Sequence, residues 1–311
     1  MNLPRTVRTY LSIPAILLAF AGCTFGIQPA LPSSADPAAI SERITNPGGR
    51  VFLRKIISTS WNDNGRRAAE LFAWVPRDSR SPDQATAARA GNTAHALMSF
   101  LADEQEDLST APANPALWQA FAQSIVPYLG AMVGDNSEVA GFAPLDPPDS
   151  AMHRSATLFV TLTKDTDAGR ILTDATVARA HGYEAAFAKT AVANPLLADR
   201  AAAQKDMLCA ARLRGLAAIN THLSNPGSHD FTLARAQTEL GYQVATLTAR
   251  PGDPHIDDRF FQAGRLLPPN RVSAADWSIY DAQLTVYLSS WPAVNKAIEQ
   301  FGHAYDVIVR Q

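Results

Sequence analysis

The most regular pattern of apolar and polar positions lies near the C-terminal end of the chain. Between Trp277 and Ile308, large apolar side chains recur in steps of three and four residues without a change of phase. Such spacing places them on one face of an α-helix. The unbroken phase predicts one long helix, kinked at Pro292, with Ser273 and Asp276 suited to its N-terminus. The apolar positions are Trp277, Tyr280, Leu284, Tyr287, Trp291, Val294, Ile298, Phe301, Tyr305 and Ile308.

This apolar stripe allows two interpretations. It can pack against the rest of the same domain, or it can form a seam with the helix of a partner, as sustained heptad patterns do. Few charged residues flank the stripe, whereas flanking charges set partner choice in helical seams. The pattern therefore favours a helix that faces the core of its own domain.

Helical spacing also recurs through the middle of the chain. The segments RVFLRKIISTSW and GRRAAELFAWV predict two short helices, which the turn residues Asn62–Gly65 separate. Ser81–Pro82 and Asn114–Pro115 each place a capping residue before a proline that suits the first turn of a longer helix. We expect Pro127 to kink the second of these longer helices.

One segment resembles a strand and is nevertheless predicted to be helical. Thr157–Thr163 (TLFVTLT) is rich in β-branched residues, but no second strand is evident to pair with it. Asp167 is expected to cap the next helix, and Asn194 the one after it. Because alanine dominates and β-branched clusters are few, the sequence predicts an all-α fold, a multi-helix bundle.

The N-terminus has the composition of a secretory signal peptide. Arg5 and Arg8 precede the apolar run Leu11–Phe20, which is too short to span a bilayer as a helix. The run leads into Ala21–Cys23, which resembles the lipobox of bacterial lipoproteins, although Phe20 stands where that pattern prefers Leu, Val or Ile. In lipoproteins the signal is cut before the cysteine and the thiol is diacylated.

We therefore predict a signal peptide over residues 1–22 and lipidation of Cys23. A plain cleaved signal with a chance cysteine, or an uncleaved apolar anchor, would be the alternatives. Two acyl chains hold a protein stably on a membrane, since each buried methylene contributes about 0.8 kcal/mol. A Pro- and Ser-rich tether is predicted over 23–45, followed by a helical domain over 46–225 and a C-terminal helical segment over 226–311 packed on the same domain.

Composition and charge narrow the classes of partner. The 311 residues are 47% hydrophobic and 18% charged, which is enough apolar content for a sizeable core. Removal of the signal peptide takes away Arg5 and Arg8 and no acid, which leaves 25 basic against 29 acidic residues. A mildly acidic chain without a basic block is not predicted to bind nucleic acid.

The sequence predicts no metal site and no cofactor, although three stretches contain candidate metal ligands. Asp165–Gly169 begins like a calcium loop, but Arg170 stands where that loop requires glycine, so a helix start is favoured. His181 and Glu184 lie one turn apart, which is too few ligands for a di-iron site. The acidic loop with Asp253, His255, Asp257 and Asp258 is more typical of a solvated turn than of a cation site.

The remaining candidate residues have structural explanations. With Cys23 acylated, Cys209 has no disulfide partner, and its apolar helical surroundings predict a small buried hydrophobic residue rather than a reactive thiol. Trp61 and Trp74 flank the Asn62–Gly65 turn and are expected to be core anchors rather than an exposed binding pair. The chain contains none of the short motifs typical of serine hydrolases, zinc proteases, phosphate loops or dinucleotide sites.

The middle of the chain, over about Arg50 to Leu223, resembles the helical region of mycobacterial proteins named "TPR repeat region-containing". In that family the region often follows a WXG-type helical domain of the kind handled by type VII secretion. Here a lipoprotein signal and tether stand in that place, and the ~34-residue tetratricopeptide consensus is absent. The resemblance therefore implies homology but no catalytic residues. It rests on STSWNDNGRRAAELFAWV, ARAGNTAHALMSFLADEQEDL, NPALWQAFAQSIVPYLGAMVGD, GFAPLD and HGYEAAFA, in that order.

Together these features predict a lipoprotein on the extracytoplasmic face of the cell membrane that acts as a helical protein-interaction module, related through the resemblance to type VII secretion. One alternative is an immunity-type lipoprotein that binds a related secreted effector. Another is a cell-envelope hydrolase that uses unrecognised acids or His153, His229 or His255. A deep pocket with converging acids or histidines would favour the enzyme, and an exposed apolar patch would favour binding.

Overall fold

A computed structural model describes residues 29–147, 149–224 and 231–310. Over these residues the chain is an all-α multi-helix bundle, as predicted. The signal peptide over 1–22, the lipidation of Cys23 and the candidate His229 lie outside the described residues. In chain order the helices are α1 (Pro37–Thr45), α2 (Gly49–Ser58), α3 (Arg66–Ala69), α4 (Trp74–Asp78), α5 (Gln84–Asp103), α6 (Gln105–Leu108), α7 (Pro115–Ile125), α8 (Leu129–Met132), α9 (His153–Leu162), α10 (Thr166–Ala193), α11 (Ala201–Ser224), α12 (Leu233–Thr248), α13 (Trp277–Ser289) and α14 (Pro292–Val309).

Helices α10 and α11 form the centre of the bundle. α10 packs along α11 and also contacts α7, α9 and α12, while α14 packs against α11. The buried positions of α10 recur in steps of three and four, as in an amphipathic helix with one face in the core. They include Leu172, Thr176, Ala180, Tyr183 and Phe187. The C-terminal helices α12 and α14 thus share a core with the middle of the chain.

The predicted tether is wrong from Pro37 onwards, because this part of the segment forms α1. Asp36 caps the helix by accepting a hydrogen bond from the backbone N–H of Ala39 at 3.0 Å, and Pro37 occupies the first turn. Ile40 and Ile44 share one face and are buried. Local proline content predicted an extended tether, but the Asp-Pro start and the apolar i,i+4 pair favour a helix once α5 provides a surface to pack on.

The predicted single C-terminal helix is also wrong, since the chain divides into α13 and α14. Trp291 between them has a non-helical backbone, with φ −120° and ψ 78°. Proline lacks the N–H that a helix interior needs and disfavours the helical conformation of the preceding residue, so Pro292 begins a new helix instead of kinking the old one. The prediction that the apolar stripe faces the core is confirmed, for example by Tyr280, Leu284 and Phe301.

Several helix starts differ by a few residues from the prediction. α5 is capped by Asp83, not by Ser81, and α10 by Asp165, not by Asp167, in each case through a carboxylate that accepts a backbone N–H in the first turn. Each carboxylate lies on a residue with extended backbone directly before the helix, which is the capping position. The helix start predicted at Asp165–Gly169 is therefore confirmed.

Two proline signals were interpreted correctly in part. Pro115 begins α7, and at Pro127 the helix gives way to a 3₁₀ turn over Val126–Tyr128 before α8. Asn194, by contrast, precedes only a 3₁₀ turn, Pro195–Leu197, and α11 begins later, at Ala201.

The strand-like segment within α9 is helical through Leu162, as predicted.

A small β-hairpin precedes α13 and was not predicted. Strands β1 (Phe261–Gln262) and β2 (Arg265–Leu266) pair antiparallel. The two turn residues between them, Ala263 and Gly264, both have positive φ, at 49° and 75°, which is the conformation that two-residue hairpins prefer. A two-residue strand leaves too short an alternating pattern for sequence analysis to detect.

Candidate functional site

Helices α11 and α14 border two clefts, which together we call the α11–α14 groove. The helices run in the same direction, because their contacts advance in step along both. Lys296 Nζ lies 3.0 Å from an Asp199 carboxylate oxygen, and the Gln204 side-chain amide donates to Gln300 Oε1 at 2.6 Å. Further along, a Cβ on Gly215 would lie 2.8 Å from Cβ of Ile308, so glycine is what lets the two backbones approach there.

The groove follows one face of α14. Its α14 residues are spaced by three and four, so they line one side of the helix. From Ala293 to Val307 this face is about 20 Å long at 1.5 Å per residue. Two clefts lie along it, of about 420 and 340 Å³. The groove is lined by Leu196, Trp291, Ala293 and Lys296 in the first cleft, and by Gln204, Leu208, Arg212, Gln300, His303 and Val307 in the second.

The first cleft has an exposed leucine on one side and is also lined by the Asp199–Lys296 ion pair. Leu196 is 85% exposed and Leu197 53% exposed, both on the 3₁₀ turn that joins α10 to α11. Leu196 lines the cleft with Trp291 and Ala293. Because Asn194–Pro195 ends α10 and forces a tight turn, these leucines project from the surface instead of continuing the buried face of a helix. A leucine this exposed beside an aromatic cleft is typical of a contact surface.

The second cleft contains a half-buried arginine without a carboxylate partner. The Arg212 guanidinium donates to the backbone oxygen of Val133 at 2.9 Å, and over the described residues no acid lies within ion-pair distance of it. Burial lowers the pKa of Arg212, while Cys209 and the exposed Asp149 act in the opposite direction. A charge removed from water without a partner raises the free energy of the folded state, so this guanidinium is available to an anion.

Cys209 lies one turn before Arg212 and is buried, as predicted. Its thiol contacts the same Val133 oxygen at 3.6 Å. Burial raises the pKa of Cys209 to about 11. Since the thiolate is the reactive form, this cysteine acts as a small core side chain.

His181 and Glu184 do meet, but as part of a buried ion pair. Glu184 is fully buried, and Arg214 grips its two carboxylate oxygens at 2.8 and 3.0 Å. His181 Nδ1 lies 3.0 Å from the same carboxylate. Burial alone would raise the pKa of Glu184, but these partners outweigh it and lower the pKa. The guanidinium thus occupies the position that a metal would need, and the described residues contain no cluster of three or more metal-ligating side chains.

The carboxylates of the acidic loop before the β-hairpin accept hydrogen bonds from backbone N–H groups of the same loop. Asp253 accepts from the N–H of His255 at 2.9 Å, Asp258 from that of Gly252 at 2.7 Å, and Asp257 from that of Arg259 at 3.0 Å. These carboxylates act as turn acceptors, so they do not converge on a common point.

The histidines proposed for a hydrolase are not brought into one site by the described structure. His255 Nδ1 lies 3.2 Å from Asp253 at an exposed loop. His153 is exposed at the first residue of α9, and within the described ranges its ring makes no hydrogen bond or ion pair with an acid. His229 lies outside the residues described. A histidine paired with one carboxylate lacks the nucleophile or water site that general-base catalysis requires.

Trp61 and Trp74 are core anchors, as predicted. Both are buried, and their indole N–H groups donate at 2.9 Å to the backbone oxygens of Ile56 and Leu71. Asn114 supports this region, because its side-chain oxygen accepts from the backbone N–H of Trp61 at 3.3 Å. The tryptophan pair is therefore not an exposed binding surface.

A buried carboxylate cluster around Asp135 was missed by sequence analysis. Asp135 accepts from the Tyr183 hydroxyl at 2.7 Å, from Ser137 at 2.8 Å and from Lys205 at 3.0 Å. Burial alone would raise the pKa of Asp135, but these bonds hold it well below its usual range. The donors come from three parts of the chain, so no local motif could reveal them. Through these bonds Asp135 holds α10 and α11 together. Because its carboxylate oxygens already accept hydrogen bonds, they are not available to a ligand.

Comparison of the chain with protein-family models, with curated proteins and with solved structures found no match. The resemblance to the mycobacterial family stays a prediction from the sequence. Among the helices of the described residues, none combines the length and the apolar content that a membrane crossing requires.

Proposed function

We propose that this protein is a lipid-anchored helical module on the extracytoplasmic face of the cell membrane, and that it binds another protein through the α11–α14 groove. One observation carries the binding role: large apolar side chains stand exposed in two clefts that lie along about 20 Å of one face of α14. Leu196 is 85% and Val307 50% exposed, one in each cleft. Burying these side chains against a partner would remove their apolar surface from water and so stabilise the complex.

The shape of the groove supports binding of a protein segment over catalysis. Its two clefts are open and shallow rather than deep, and the acids and histidines of the described residues do not converge in them. A groove between two helices is the surface on which an amphipathic segment packs its apolar side. The relation to type VII secretion rests on the sequence resemblance alone.

The binding role is tested by photo-crosslinking in cells. A photo-reactive phenylalanine analogue replaces Leu196 or Val307 in the full-length chain, and Val51 in a control. Val51 is 66% exposed on α2, outside the groove. We expect one discrete protein adduct from both groove positions and none from the control. Equal adducts at all three positions, or none at any, would contradict the proposal.

The anchor is tested separately, by mass spectrometry of the mature N-terminus. We expect a chain that begins at Cys23 and carries a diacylglyceryl group. Cys23→Ala should leave uncleaved precursor. An unmodified N-terminus at another position would remove the membrane anchor from the proposal without affecting the groove.

A further inference from the structure

We infer that the partner segment of the α11–α14 groove carries an acidic side chain that pairs with Arg212, in addition to apolar residues that fill the first cleft. This inference rests on the proposed function and specifies the chemistry of the partner. The ligand class is an amphipathic, acidic segment of another protein.

The fold leaves one half-buried charge of the groove, that of Arg212, without an acidic partner among the described residues. Arg212 lines the second cleft, and its guanidinium donates to a neutral backbone oxygen, that of Val133, at 2.9 Å. Two other arginines that are buried or half-buried face acids: Arg214 contacts Glu184, and Arg179 contacts Glu138 and Asp135. Burial lowers the pKa of Arg212, in contrast to those two, whose pKa is raised.

The groups around Arg212 suit a carboxylate. Gln300 and His303 line the same cleft and carry further N–H groups, while Leu208 and Val307 provide apolar walls. A guanidinium binds a carboxylate through two parallel hydrogen bonds, which a partially dehydrated cleft strengthens. Asp149 is the one acid that lines this cleft, and it is exposed and beyond ion-pair distance. The net electrostatic interaction between an incoming carboxylate and this cleft is therefore attractive.

The spacing of the two clefts defines the segment. Apolar contacts lie beside Leu196 and Trp291, and the charge lies near Val307, about 20 Å away along α14. A partner helix would span this distance with roughly 10–14 residues between its apolar anchors and its Asp or Glu. The N-terminal segment of this chain is not suited to the groove, because residues 1–35 contain no acidic residue.

The test combines the crosslinker at position 196 with changes at Arg212 and Asp149 in the full-length chain. Arg212→Gln removes the charge at the far end of the groove and should lower the adduct yield at least about tenfold, as loss of a hydrogen-bonded charge pair does. Arg212→Lys keeps the charge but not the bidentate geometry, so it should retain an intermediate yield.

Asp149→Asn provides a change of opposite sign. It removes the one acid of the cleft, whose negative charge repels an incoming carboxylate, so the yield should rise roughly two- to fivefold. A circular-dichroism melt of each variant confirms that it is folded. Sequencing of the adduct should then find an Asp or Glu in the attached segment, and its change to Lys should restore binding to Arg212→Glu.

The outcomes separate the two proposals. If position 196 crosslinks a protein equally well in Arg212→Gln, the groove binds a partner but the acidic pairing is wrong. A lipid adduct, an adduct with a second copy of this chain, or an attached segment without an acid would also overturn the inference. Absence of any adduct at the groove positions would overturn the proposed function, and the inference with it.

Discussion

Arg212 and Arg214 lie two residues apart on α11, yet their environments are opposite. Arg214 is 7% exposed and grips the fully buried Glu184 with two hydrogen bonds. Arg212 faces the α11–α14 groove and contacts a backbone oxygen instead of an acid. Because successive helical residues point about 100° apart, a two-residue step turns one arginine into the core and the other towards the surface. The first is a structural charge, and the second is the charge that we propose pairs with a ligand.

The largest expected effect on stability comes from replacing the paired arginine, Arg214. Arg214→Met leaves Glu184 buried without its main partner and should lower the free energy of unfolding by about 3–5 kcal/mol. Replacing both, as in Glu184→Leu with Arg214→Met, should recover much of this loss, because the Glu184 carboxylate is then no longer buried without its partner. Urea unfolding measures both. A single variant as stable as the original chain would show that the pair contributes little.

A second effect tests whether the Asp135 cluster is another structural charge. Asp135→Asn removes charged hydrogen bonds to Tyr183 and Lys205 and should cost about 2–3 kcal/mol at pH 7. The pKa of Asp135 is lowered in the folded chain, so its contribution is present above its unfolded pKa of about 3.9 and is lost as pH falls towards the folded value.

The control for this prediction lies on α11. Burial raises the pKa of Asp206, so Asp206→Asn should leave stability unchanged or slightly higher at pH 7. Urea unfolding from pH 7 to pH 2.5 should show the gap between the original chain and Asp135→Asn narrowing only below about pH 4. A gap that is independent of pH, or equal losses in both variants, would contradict the interpretation.

A third effect addresses the wall of the groove. Gly215→Ala places a methyl group 2.8 Å from Cβ of Ile308 and should push α14 away from α11, at a cost of about 1–2 kcal/mol. Gly182→Ala on α10 is the matched control, because a Cβ there meets no atom within 4 Å. The control should gain about 0.5–1 kcal/mol from helix propensity. Thermal unfolding of both variants would reveal opposite signs if the close approach is real.

The smallest expected effect belongs to the unpaired arginine. Arg212→Met should change the free energy of unfolding by less than about 1 kcal/mol, since the lost bond to Val133 is offset by relief of the partly buried charge. Urea unfolding beside Arg214→Met gives the comparison directly. If both variants lost the same stability, Arg212 would be a structural charge and not a ligand-binding one.

Much of the fold followed from local patterns, and the errors have identifiable causes. The core role of Trp61 and Trp74 and the helical state of Thr157–Thr163 followed from apolar spacing. The tether prediction failed at Pro37 because proline content was given more weight than the Ile40/Ile44 pair. The division of the C-terminal segment at Pro292 was missed because the apolar residues keep the same helical spacing on both sides of it. Periodicity alone does not show that the helix is interrupted there.

The candidate site was not predicted from the sequence. Leu196 belongs to an Asn-Pro-Leu-Leu stretch that was interpreted as the start of a helix, where its leucines would have been ordinary core residues. In KDMLCAARLRG, nothing local tells which of Arg212 and Arg214 has an acid opposite it. The acids that settle this come from other helices, far away in the chain.

By itself the sequence determined an all-α chain, the core-facing C-terminal stripe and the burial of Cys209, because each depends on apolar residues repeated within a few turns. It also carries the prediction of an acylated Cys23. The tertiary structure alone decided which charges are paired, where α11 and α14 approach, and which apolar residues remain in contact with water. These depend on the distance between segments remote in sequence, which local propensity and periodicity do not encode.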